Sequence, residues 1–150
     1  MNKQISMKEN NMEESVKISL YIGGDEIPLE RITSVLEIEP TIIRKKTEWN
    51  AVNGFSCDEW IFELKKFKEI NCPDIEEVFQ NFIDIFGQKT DIIKSICHNY
   101  DCRISVIVVI HMENSTQPYI SLSPDTILFL HNINAELIFN IWGYDIEEEF

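Results

Sequence analysis

Beyond Arg103 the chain contains no lysine and no arginine. The acids of that stretch are Glu113, Asp125, Glu136, Asp145, Glu147, Glu148 and Glu149. Nucleic acids and anionic bilayers are held through clustered cations, so this part of the chain excludes both as partners. The whole chain leans the same way. Its 26 Asp and Glu against 13 Lys and Arg give a formal charge of −13 and a pI of about 4.5. Such a field draws in basic partners, although acidity also serves plain solubility.

Long apolar runs are missing too. The strongest, ISVIVVI (104–110), is far too short to span a bilayer. Residues 1–15, MNKQISMKENNMEES, lack the continuous apolar stretch of a secretion signal. A cytoplasmic chain is therefore expected. No CxxC pair links Cys57, Cys72, Cys97 and Cys102, which then read as reduced thiols. Cys97, His98 and Cys102 come nearest to a metal set. Structural zinc takes four N or S ligands, and the fourth would have to be the distant His111 or Cys72. Buried free cysteine is the commoner case, so neither metal nor cofactor is expected. There is no G-x-S-x-G, and His98, His111 and His131 sit in no hydrolase context. No pair of carboxylates stands out as acid and base, and no catalytic residue is named.

LYIGGDEIP (20–28) has the strand–glycine–helix form of a phosphate cradle. It lacks the Lys or Ser/Thr such cradles use. Asp25 and Glu26 stand at the helix entrance, where they repel phosphate and satisfy the positive helix end themselves. Gly23 and Gly24 read as a turn out of a strand.

What is present is a fold. VKISLYI (16–22) alternates as a half-buried strand. Leu29, Ile32, Val35 and Leu36 predict a helix over 28–37, stopped by Pro40. Residues 41–58 read as a loop or irregular strands. EWIFELKKF (59–67) is a strand with Trp60, Phe62 and Leu64 on one face. Ile75, Val78, Phe79, Phe82, Ile83 and Phe86 predict the clearest helix, closed by Gly87, and a further helix covers 90–99. RISVIVVIHM (103–112) reads as a strand buried on both faces. PYISL (118–122) reads as a short strand antiparallel to it. Ser123 and Pro124 start a last helix, and ELIFNIW (136–142) is the final strand. Residues 1–14 are expected to form a mobile arm and 15–150 a single α+β domain. The expected architecture is a two-layer sandwich, a mostly antiparallel sheet with helices packed on one face, for which a ferredoxin-like duplication is one form.

Two surfaces carry candidate function. Arg44, Lys45 and Lys46 could grip an anion, though a solvated loop is the plainer reading in so acidic a chain. At the terminus, Trp142, Tyr144 and Phe150 alternate with Asp145, Glu147, Glu148 and Glu149, a pattern suited to a basic protein surface, although Trp142 and Tyr144 read at least as well as closing the core with the acids left in water.

ERITSVLEIEPT (30–41), EWIFEL (59–64) and ELIFNIWGYDIE (136–147) resemble a bacterial family, domain of unknown function 4279. The likeness rests on Ile32, Leu36, Ile38, Pro40 and Thr41, on Trp60, and on Tyr144-Asp145. It covers residues 16–146. The family often has Gly before its Ile-x-Pro element, where this chain has Glu37. The resemblance implies a compact α+β domain without assigned catalysis, and such small acidic domains look like immunity proteins of toxin systems. The expected function is thus non-enzymatic protein binding, as an immunity protein neutralising a basic bacterial toxin domain. A small-ligand binder or small enzyme with a pocket between sheet and helices is the first alternative. A homo-oligomeric structural domain, such as a homodimer, is the second.

Overall fold

The computed structural model describes residues 14–46, 57–67, 75–113 and 119–144. Trp49, Asn53-Gly54, Cys72, Pro73 and the 114–117 turn lie outside the described residues, as does the proposed arm up to 13.

Five strands form one sheet in the order β2-β3-β1-β4-β5. They are β1 (Ser15–Gly24), β2 (Ile42–Arg44), β3 (Asp58–Phe67), β4 (Arg103–Glu113) and β5 (Glu136–Tyr144). Three neighbouring pairs are antiparallel and β4–β5 is parallel. Four helices connect them: α1 (Leu29–Leu36), α2 (Ile75–Phe86), α3 (Thr90–Tyr100) and α4 (Pro124–Asn132). The α+β reading and the mostly antiparallel sheet hold.

Alternation decides which face of the sheet is covered. On β1, Val16, Ile18, Leu20 and Ile22 are buried, and register places them beside Ile110, Val108, Val106 and Ile104 of β4. Helix residues at i, i+3 and i+4 close over this face: Leu29, Ile32 and Leu36 from α1, and Val78, Phe79, Phe82 and Phe86 from α2. The opposite face carries Lys17, Ser19 and Tyr21 of β1 beside Val109, Ile107 and Ser105 of β4.

Several expectations need correction. β4 is not buried on both faces: Ile107, Val109 and His111 are only half-buried on the side away from the helices. Residues 119–123 form no strand and run directly into α4. The last strand pairs parallel because α4 carries the chain back over the sheet, as a parallel pair requires. Gly87 is no left-handed cap. It begins a 3-10 turn, Gly87–Lys89, that continues into α3.

Some local signals worked as the chemistry demands. Ser123 Oγ accepts from the Thr126 amide at 3.2 Å and caps α4. Glu76 of α2 reaches the same terminus, accepting from the Ser123 amide at 3.4 Å and the Thr126 hydroxyl at 3.2 Å. Trp60 is fully buried, and its indole N–H donates to Thr33 Oγ1 at 3.0 Å, tying β3 to α1.

Glu37 shows why glycine suits its place. It ends α1 in the left-handed region, φ 58°, with its amide on the Thr33 carbonyl at 2.9 Å. A side chain there costs about 1–2 kcal/mol, part of which glycine returns through the unfolded chain. Glu37→Gly is therefore expected to stabilise the fold by about 0.5–1 kcal/mol. Chemical denaturation checks this, and a destabilised variant would show that the Glu37 side chain has a structural role.

Candidate functional site

At the Gly23–Gly24 end of the sheet lies a cleft of about 700 Å³. Tyr21, Cys57, Cys97, Cys102, Asp25 and Arg103 are among its lining residues. Gly23 belongs here because a Cβ would meet the Tyr21 ring at 2.6 Å. Tyr21 Oη and Cys57 Sγ are 3.7 Å apart. Burial first, then hydrogen bonds with Cys57 and Glu59, raise the Tyr21 pKa. Cys97 Sγ donates to the Cys102 carbonyl at 2.8 Å. Burial, then the Asp101 charge, raises the Cys97 thiol, and burial pushes Cys102 up to about 11.

All three shifts favour the protonated form, the opposite of what an activated nucleophile needs. Iodoacetamide is accordingly expected to label Cys102 slowly at pH 8, and faster as pH approaches 11. The sign for stability follows. The folded state keeps a proton that the unfolded thiol loses near pH 9, so stability falls as pH rises from about 9 through 11. Mass spectrometry of the labelled peptide is the check. Labelling at the rate of the unfolded chain would contradict the burial assigned to Cys102.

Cys97 and Cys102 are close, but His98 is exposed on α3 and His111 sits in β4. Among the described residues no three His, Cys, Asp or Glu groups converge to hold a metal.

Two of the three cations in the basic cluster face the chain's own acids, and Lys45 is exposed. Arg44 Nη1 lies 3.0 Å from Glu59 Oε2, and Lys46 pairs with Asp25. Asp58 accepts from the Ile27 amide at 3.1 Å and the Lys46 amide at 2.8 Å. LYIGGDEIP (20–28) is thereby stitched to β3 and to the Lys46 segment.

The second candidate surface is β5. It is an edge of the sheet, with β4 as its one neighbour among the described residues. Register sends Leu137, Phe139 and Ile141 to the helix side, beside Val106, Val108 and Ile110. Leu137 and Phe139 are only half-buried there, packed against the core. Ile141 is 50% exposed, which shows that the helix layer stops short of it. On the other side Trp142 is 60% exposed, and its ring lies nearly parallel to that of His111, 6.4 Å away between centroids. Ile127 and Leu128 of α4 are also more than half exposed.

The sequence left Trp142 open between closing the core and facing a partner, and its exposure places it on the surface. Tyr144 ends the strand with its side chain outside the described residues, and Asp145, Glu147, Glu148 and Glu149 lie outside them altogether. Ile141, Ile127 and Leu128 gave no signal, because an apolar residue in an apolar element reads as core until the neighbouring layer is known.

The fold, the Trp60–Thr33 tie and the β5 ending together define an acidic α+β domain. The chain belongs to the family described as Domain of unknown function (DUF4279), which matches residues 14–144. No match was found among curated proteins or among solved structures. Among the described residues no helix is long and apolar enough to cross a membrane.

Proposed function

We propose that this chain is a non-enzymatic, cytoplasmic protein-binding domain, an immunity protein that neutralises a basic bacterial toxin domain. One observation carries the reading. The β5 edge exposes Ile141 and Trp142 on its two faces, within the stretch of chain that has acids and no Lys or Arg. A large aromatic at the centre of an apolar patch is the usual anchor of an interface. Surrounding charge of one sign speeds encounter with a partner of the other. The cleft at the other end supports catalysis poorly at Tyr21, Cys97 and Cys102, which burial holds protonated. In the Arg44–Lys46 cluster, Glu59 and Asp25 already face Arg44 and Lys46, which weakens it as a site for an anionic ligand.

The test is affinity capture from the native host, with wild type and the Ile141→Lys/Trp142→Lys double variant as baits. A basic protein retained by wild type and lost from the folded variant is expected, and its purified form should then bind in solution. Equal retention by both baits would remove β5 from the interface. Recovery of only more of the same chain would replace this reading with the homodimer.

A further inference from the structure

The two edges of the sheet are built differently. β2 is three residues long, follows Pro40, and carries Arg44 before Lys45 and Lys46. Brevity, proline and charge are the devices that keep an edge from pairing with another chain. β5 is neither short nor proline-bearing, and its charge is confined to its first residue. It runs nine residues, Glu136–Tyr144, with Glu136 as its single charged side chain and no proline. At about 3.3 Å per residue it offers an edge of about 30 Å. Every second residue there turns its amide and carbonyl away from β4.

Resting on the protein-binding reading above, we propose that β5 binds its partner by strand addition. The occupant is an extended segment of the partner, apolar at alternate positions and flanked by Lys or Arg. Main-chain hydrogen bonds to the outward groups of β5 give such a complex its affinity, and alternate side chains select the sequence. Here one set of partner side chains falls beside Ile141 and the other beside Trp142. The charge argues for a basic flank. No Lys or Arg follows Arg103, and four acids follow Tyr144. It argues equally against a second copy of this chain as occupant. Two β5 strands paired across a twofold axis would juxtapose two bodies of charge −13, and like charges at an interface are costly.

The probe is the peptide Lys-Lys-Val-Thr-Val-Thr-Val-Lys-Lys, titrated into the ¹⁵N-labelled full chain while amide shifts are followed. Saturable shifts centred on Glu136–Tyr144 are expected, and the same peptide with Glu for Lys should not produce them. Two further peptides carry N-methyl groups on alternate backbone amides, one in each register. Strand addition predicts that one register weakens binding at least about tenfold through lost hydrogen bonds, while the other, facing solvent, changes it little. No saturable shift on β5, or equal binding by both methylated peptides, overturns the proposal. A dimer in sedimentation that Trp142→Lys dissolves would overturn the choice of occupant. Failure here is distinguishable from failure of the function. A captured partner that needs Trp142 while both methylated peptides bind alike leaves the function and removes the strand mode. Register-dependent peptide binding with no basic protein captured does the reverse.

Discussion

Phe82→Ala is expected to lower unfolding stability by about 3–5 kcal/mol. Phe82 is fully buried on α2, with its ring 4.8 Å from that of Phe86 and 6.1 Å from that of Phe129. It therefore joins α2 to α4 above the β1–β4 centre of the sheet. Truncation removes the transfer energy of the ring and leaves a cavity between helices that cannot fully collapse. For a domain of this size the corresponding fall in Tm is about 10 °C or more. Guanidinium titration reads it directly. An unchanged midpoint would mean that the buried face of α2 is misassigned.

The second large effect concerns association. Replacing Asp145, Glu147, Glu148 and Glu149 with Asn and Gln removes four of the acids in the stretch without Lys or Arg. With the captured partner, the on-rate at low salt should fall by about tenfold, because steering acts before contact. The off-rate should change far less, since packed groups such as Trp142 hold the complex once formed. Raising ionic strength should erase the difference between wild type and variant, as screening shortens to about 3 Å near 1 M salt. Stopped-flow measurements at two salt concentrations separate these terms. An on-rate indifferent to salt and to all four substitutions would take the acidic terminus out of the encounter.

The helices and central strands were legible because their apolar spacing is strict. Ile75, Val78, Phe79, Phe82, Ile83 and Phe86 predict one helical face, and the structure buries all of them but Ile83, which is half-buried. Lys17, Ser19 and Tyr21 mark the uncovered side of β1 just as plainly. β4 misled for a physical reason. Ile107 and Val109 are as apolar as Val106 and Val108, yet they stand on the face without helices. Periodicity cannot register a face that is apolar but uncovered. The parallel pairing of β5 was hidden because it follows from the α4 crossover, a tertiary event with no local residue signature. The site was half legible. Trp142 among acids was compatible with a surface or with the end of the core, and its exposure decides for the surface, whereas Ile141 gave no such signal.

The central claim is that the Trp142 end of β5 anchors a partner, and the affinity of the Trp142→Ala variant tests it most directly. Trp142 is 60% exposed in the free chain, so its loss should leave the unfolding midpoint almost unmoved. An anchoring tryptophan contributes about 2 kcal/mol or more, which weakens binding about thirtyfold or more. Calorimetric titration of the captured partner into wild type and variant should show that drop with the fold intact. Equal affinity of the two would contradict the account.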